Sequence, residues 1–276
     1  MRYKSGVRRN CLCHKPNEKK YVCSISYGKD SLATLLLALE NGEPLDAVVF
    51  VEVMYDLERG ISGEHPDHIK WVNEVARPRL LEMGVEVIHL RSDKDYVGSF
   101  HTELSRGKHV GKLRGFPIAN RCCIQKDCKL RPINTWLREG YFKDGYDVVM
   151  YVGIAVDELD RLESLEWSDS PRITKVSLME KYRYTETMAL LKCHEYGLVS
   201  PIYLNGGGRN GCWFCPNQNV ESFCRLRCHH FDLWHELKKL SKTENIVTDQ
   251  FRYAQTFADV EKNVKNYFDK YHKYIL

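Results

Sequence analysis

The sequence predicts an α/β protein: a parallel twisted sheet with helices on both faces, followed by a small cysteine-containing helical C-terminal region. Three observations carry this. Short Val-rich runs alternate with longer helical runs in the first half of the chain, the β-α-β-α-β pattern of a parallel sheet. Glycine-containing turns punctuate the runs. Beyond Gly206-Gly207-Gly208 the composition shifts to an aromatic, helical tail. Residues 1–205 are expected to form the α/β domain, and residues 206–276 a Cys-x-x-Cys-containing helical region packed on it.

Tyr21 to Ser26 is a short apolar run that ends in a turn. Ser31 to Glu40 is a strongly apolar helix, stopped by Asn41-Gly42. Asp46 to Val53 is a second buried strand. Ile69 to Met83 is amphipathic, with Trp71, Val72, Val75 and either Leu80 or Leu81 toward a core. Gly84 ends it, and Val85 to Leu90 is a third strand. Asp93 to Ile118 is polar, basic and Gly-rich, and reads as a long loop or lid. Arg131 to Glu139 is helical, Val148 to Ile154 is another strand, and Glu180 to Tyr196 is a helix ended by Gly197. The tail from about Val220 onward is helical.

Composition sets bounds on function. The chain has 276 residues, 43% hydrophobic and 28% charged, enough for one large domain or one with an appendage. A net charge of +4 and a pI near 8.4 permit a nucleotide or nucleic-acid partner without demanding one. No apolar run reaches the roughly 18 residues of a membrane span. The basic N-terminus lacks the apolar core of a secretory signal, so a cytoplasmic protein is expected. The 11 cysteines lie in clusters, which in a reducing compartment points to metal or redox chemistry rather than disulfides.

The turn after the first strand is Ser26-Tyr27-Gly28-Lys29-Asp30-Ser31. A phosphate site needs inward-pointing backbone N–H groups and a helix N-terminus behind them, and this segment offers both. Gly28 lets the backbone approach a phosphate closely. Ser26 and Ser31 add hydroxyls, Asp30 or Ser31 is placed to cap the helix, and Lys29 adds charge. The spacing is not that of a Walker A loop. It resembles the Ser-Gly-Gly-x-Asp-Ser signature of the PP-loop (ATP-pyrophosphatase) superfamily, with Tyr27 in place of the first Gly.

From about Tyr21 to Pro216 the chain resembles the phosphoadenosine phosphosulfate reductase family within that superfamily. This implies an adenine nucleotide alpha hydrolase-like fold and an adenine nucleotide as ligand. Val152 to Arg161 is similar to the family's strand followed by Gly-Ile-x-x-x-Glu-x-x-Arg. The likeness assigns Glu158 and Arg161 to the nucleotide and substrate border. An Arg there can bind phosphate or sulfate bidentately, with Glu158 positioning it or a metal ion. Lys129-Leu130-Arg131-Pro132-Ile133 resembles the family's Lys-x-x-Pro segment, which makes Lys129 a candidate for the nucleotide phosphates. By this likeness Asp30, Lys129, Glu158 and Arg161 are the candidate catalytic residues.

Cys122, Cys123 and Cys128 lie just ahead of Lys129. Cys212 and Cys215 form a Cys-x-x-Cys far downstream, two thiols on one turn that can chelate a metal or cluster. Together they resemble the Cys-Cys…Cys-x-x-Cys set of [4Fe-4S] sulfonucleotide reductases. The tandem pair is offset by two residues and Cys128 is additional, so which of the three are ligands stays open. An iron–sulfur cluster is expected, with structural zinc as the other metal. Cys224, Cys228, His229 and His230 suggest a further zinc site. Cys11-x-Cys13-His14 is read as incidental, and Cys23 and Cys193 as core residues. His65 and His68 follow the second strand and face the same sheet end as the loop.

Two reactions compete. The resemblance admits reduction of a phosphosulfate nucleotide, but no cysteine follows Cys228 to match that family's nucleophile-bearing tail. The other is PP-loop chemistry: ATP with Mg²⁺ adenylates a substrate, and sulfur then displaces AMP. Relatives of this kind thiolate tRNA or DNA and pair the loop with an iron–sulfur cluster, drawing sulfur from a donor such as a cysteine desulfurase. The basic segment Arg106 to Arg114 suits such a polyanion. A nucleotide-binding scaffold without turnover is the non-enzymatic alternative.

Overall fold

The computed structural model describes residues 18–117, 122–166, 170–204 and 210–271. Cys11, Cys13, His14 and Gly206 to Gly208 lie outside the described residues. Strands β1 (Lys19–Ile25), β2 (Ala47–Glu52), β3 (Met54–Asp56), β4 (Ile61–Ser62), β5 (Val87–Arg91), β6 (Asp147–Tyr151) and β7 (Ile173–Val176) come in that order along the chain. Five of them form the expected parallel sheet, ordered β5-β2-β1-β6-β7. Both faces are covered, so the strands read as near-continuous apolar runs rather than alternating ones.

Side chains on a strand point alternately to opposite faces. Cys23, Phe50 and Tyr151 therefore belong to one core, and Val22, Val49, Val51, Val148 and Met150 to another. The first core is closed by α1 (Lys29–Glu40) and by α2 (Pro66–Trp71), which runs through a π-helical turn into α3 (Arg77–Glu82). Leu80 faces this core and Leu81 is exposed. Val75, expected inside, lies at the π-helical turn and is also exposed.

The chain next forms the short α4 (Tyr96–Phe100) inside the segment expected to be loop. Asp95 caps it by accepting the Gly98 N–H at 2.7 Å. The second face is closed by α5 (Arg131–Leu137) and the π-helical turns on either side of it. A crossover that reverses direction across the sheet must also change face to stay right-handed, which is why α5 lies opposite α1.

After α6 (Leu159–Glu163) and β7, the expected single helix over 180–196 is two, α7 (Leu178–Lys181) and α8 (Glu186–Glu195). Arg183 adopts φ +62° between them, which a continuous right-handed helix excludes. Thr185 restarts the chain as N-cap. Next come α9 (Pro201–Leu204), α10 (Val220–His229), α11 (Phe231–Leu240), the ribbon β8 (Gln250–Arg252) and β9 (Gln255–Thr256), and α12 (Phe257–Tyr271). Their apolar faces do not form a core alone. They join Val53, Tyr55, Tyr96, Phe100, Phe116 and Ile124 in a third cluster. Among the described residues no helix is long and apolar enough to cross a membrane.

At the carboxyl end of β2, Glu52 is buried and takes Arg91 Nε at 2.8 Å and Nη2 at 2.6 Å. Burial alone would raise its pKa, but hydrogen bonds from His89, Ser62 and Arg91 outweigh this and hold it at about 2. A carboxyl depressed on folding stabilises above its unfolded pKa, and that contribution fades as pH falls toward its folded value. Urea unfolding should therefore show a loss on the order of 3 kcal/mol from this group as pH falls from about 4.5 to about 2. Glu52→Gln should flatten that part of the profile, and equal slopes for both proteins would count against the assignment.

Candidate functional site

The sheet reverses its strand order beside β1. In open α/β sheets the crevice at such a point, outside the carboxyl ends of the strands, is where ligands bind. Ser26 to Ser31 sits there. Tyr27 adopts φ +55°, the left-handed conformation that glycine takes at least cost. Its ring offsets that strain by full burial, edge-on to Phe50 at 5.0 Å. Its hydroxyl is buried without a partner.

The loop is braced from within. Ser31 Oγ accepts the Ser26 N–H at 3.1 Å and donates to the Gly28 carbonyl at 3.0 Å, so its proton is used inside the loop. The N-cap of α1 is Gly28, with no side chain capping the helix, which corrects the capping expected of Asp30 or Ser31. Tyr203 supplies an outside partner, its hydroxyl accepting the Lys29 N–H at 3.2 Å. Lys29 Nζ turns to Asp30 at 2.8 Å and Glu186 at 2.6 Å. Those two carboxylates outweigh burial and raise its pKa. Burial is the main reason Asp30 is raised, with Lys29 opposing and Glu186 and Glu158 adding to it.

His68 supports the loop from behind. It is fully buried, with Nε2 at 3.1 Å from the Ser26 carbonyl and Nδ1 at 2.9 Å from Ser200 Oγ. Asn210 donates to the same carbonyl at 3.0 Å. Burial lowers the His68 pKa to about 4, so the ring is neutral at pH 7. From the β6 side, Glu158 accepts the Ala155 N–H at 3.0 Å and holds Arg161 Nη1 at 2.5 Å. Arg161 is largely exposed.

The cysteines gather beside this crevice. Cys212 pairs with Glu64 as an isolated bridge, and Trp213 donates its N–H to the Gly63 carbonyl at 3.0 Å and Nε1 to Ser62 at 2.9 Å. The Cys212 to Cys215 turn is closed by the Cys215 N–H on the Cys212 carbonyl at 3.0 Å. Cys212 is raised well above the usual thiol range, first by burial, and it feels Glu64, Lys129, Cys215 and Cys122. The buried Tyr96 hydroxyl has no partner and lies within the fields of Cys122, Cys123 and Cys215. Three thiols act on this orphaned buried atom, and Cys212 lies in the fields of Cys122 and Cys215, a donor set that suits a thiolate-bound metal centre. Among the described residues no three of the sulfurs come within 4.8 Å of one another, wider than the roughly 3.8 Å edge of a zinc tetrathiolate.

Cys128 is fully buried with its thiol on the Lys94 carbonyl at 3.3 Å, and Cys123 acts on it. Cys23 and Cys193 are core residues, as expected. Of the residues in the expected second zinc site, His230 lies beside Asp67 and His65, and among the described residues that trio is the group brought within 4.8 Å. Glu64, Glu186, Tyr203 and Asn210 were not anticipated. These residues carry no local signal: Glu64 follows a two-residue strand, and Glu186, Tyr203 and Asn210 act through contacts across the fold.

Fold and site together define an α/β protein with a strand–loop–helix turn opening at the switch point of a parallel sheet and a cysteine group beside it. No protein-family model matches the chain. An uncharacterized protein of Methanocaldococcus jannaschii is 24% identical over 241 residues, covering 84% of this chain and 42% of that protein. The chain thus spans less than half the length of this relative.

Gly153 offers the sharpest steric test. A Cβ there would lie 2.6 Å from the Ser31 nitrogen and 2.7 Å from the Asp30 carbonyl carbon. Both are backbone atoms, so the loop itself must move. Gly153→Ala should destabilise the protein by about 1–3 kcal/mol in urea unfolding, and wild-type stability would show that this contact is soft.

Proposed function

We propose that the chain is a PP-loop-type ATP pyrophosphatase that adenylates a substrate for sulfur transfer and carries an iron–sulfur cluster on Cys122, Cys123, Cys212 and Cys215. The observation that carries this reading is that Asn210, two residues before Cys212, donates to the Ser26 carbonyl of the loop at 3.0 Å. The charge of Lys129 also bears on Glu64, on His68 behind the loop and on Cys212. Both support a nucleotide site and a thiolate site as neighbours.

In this reading a substrate oxygen attacks the α-phosphorus of ATP, the bond to pyrophosphate breaks, and sulfur then displaces AMP. The N–H groups at the start of α1 stabilise the leaving pyrophosphate. Asp30 and Glu158 supply the hard oxygen donors that suit Mg²⁺, which neutralises phosphate charge when bound. Arg161, held by Glu158, keeps N–H groups for a phosphate oxygen. Buried thiols stay protonated unless a metal replaces the proton, so the raised Cys212 and Cys123 accord with a metal centre. A cluster there supplies redox-active sulfur chemistry. The exposed Arg106, Lys108 and Lys112 suit a polyanionic acceptor, tRNA or DNA, with a cysteine desulfurase as the class of sulfur donor.

Pyrophosphate released from ATP with Mg²⁺ should fall about 100-fold in Asp30→Ala, the scale expected when a group acting on the transition state is lost. ATP binding without pyrophosphate would instead support a scaffold, and thiol-dependent sulfite from a phosphosulfate nucleotide would support a reductase. Protein prepared without oxygen should be brown, with matched iron and sulfide, and Cys212→Ser should lose the colour. Colourless wild-type protein holding zinc would overturn the cluster.

A further inference from the structure

Three ligand-type side chains converge where the C-terminal helices meet the start of α2. His65 precedes Pro66 at the head of α2, Asp67 lies in its first turn, and His230 joins α10 to α11. His65 Nδ1 is 3.8 Å from Asp67 Oδ2, and His230 Nε2 is 3.5 Å from the same oxygen. All three ligand atoms lie within 4.8 Å of one another. The two imidazole rings meet edge to face at 5.1 Å.

Hydrogen bonding does not account for this grouping. His65 Nδ1 is buried and has no hydrogen-bond partner, and 3.5 Å is the outer limit of a contact for His230. A buried ring nitrogen is rarely left so without a missing partner. Zinc bonds of about 2.0–2.2 Å to nitrogen and oxygen put tetrahedral ligand atoms about 3.3–3.6 Å apart. The two separations from Asp67, 3.5 and 3.8 Å, lie at or just beyond that range, and a bound ion would draw the three atoms together.

We propose that His65, Asp67 and His230 form a binding site for a divalent transition-metal ion, zinc by preference, with one position open to solvent. Two imidazoles and one carboxylate are a known zinc donor set with a fourth position for water, and they also suit iron(II). The site shares no ligand with the cysteine group and does not depend on the nucleotide reading. It would fasten the α10–α11 junction to α2, the helix whose His68 supports Ser26.

The test uses the full chain with its cysteines intact, in three forms: wild type, Asp67→Asn and His230→Gln. Each is equilibrated with Zn²⁺, freed of excess and assayed for metal, and a parallel set is loaded with Co²⁺. Wild type should hold one more equivalent of zinc than either variant, and zinc should raise its Tm by more. The cobalt d–d absorption of a nitrogen and oxygen site should vanish in both variants, while absorption arising from the cysteine group stays the same in all three proteins. Equal zinc content and superimposable cobalt spectra in all three proteins would overturn the proposal. Asp67→Asn changes a half-exposed side chain, so its circular dichroism should match wild type and keep the test valid if His230→Gln misfolds. Pyrophosphate release is not read in any arm, so failure here leaves the nucleotide reading standing, and the reverse.

Discussion

The contact between the Gly153 backbone and the first turn of α1 is the constraint on which the rest of the site depends. It brings the end of β6 against Asp30 and Ser31 so closely that no side chain fits. Parallel pairing of β1 with β6 puts both strand ends at one edge, and the reversal of strand order there leaves the crevice open. Every other part of the site is referred to that edge. His68 and Asn210 reach Ser26 from behind, Tyr203 reaches Lys29, and Glu158 approaches along the chain that leaves β6.

The aromatic cluster over the sheet edge is the second rigid element. Tyr55 stacks with Tyr96 at 5.4 Å, Phe214 meets Tyr96 at 4.0 Å, and Trp213 meets Tyr55 at 4.5 Å. Gly63 lies under Phe214, with a Cβ position 2.9 Å from the ring. These contacts fix the Cys212 to Cys215 turn without using the cysteines. Fixed thiols in a low-dielectric pocket are raised by burial, as Cys212 is, and become ligands when a cation compensates the lost solvation. Packing thus supplies the geometry of this turn.

The periodic parts of this arrangement were legible in the sequence. The strands of the sheet other than β7, helix α1 and the loop after β1 follow from short apolar runs, a helical run and turn residues, all local signals. What stayed hidden is non-local or depends on backbone conformation. Arg183 does not announce a positive φ, so the break between α7 and α8 carries no local signal. Strand β7 is short and half-buried, so it carries no strong pattern. The cysteine spacing after α9 suggested a ligand set that included His230, yet the fold sends that ring to Asp67, far away in sequence. Tyr27 reads as a departure from a glycine position, and the structure supplies the reason it is tolerated. The ring gains burial against Phe50 that offsets the cost of φ +55°.

Charge around the loop adds one more step. Lys29 is already engaged by Asp30 and Glu186, so its charge is largely spent inside the protein. Glu158 and Glu186 both act on Asp30 and push its pKa up, which places three carboxylates near the start of α1. A polyphosphate approaching this turn would gain the helix N–H groups but meet that negative field. Anions bind such a place when a divalent cation bridges carboxylate and phosphate, because one ion then removes repulsion on both sides. The same ion would oppose the field that Glu186 and Glu158 place on Asp30 and so favour its ionised form. Under the proposed function, cation and nucleotide binding at this loop should therefore be strongly coupled, each weak without the other.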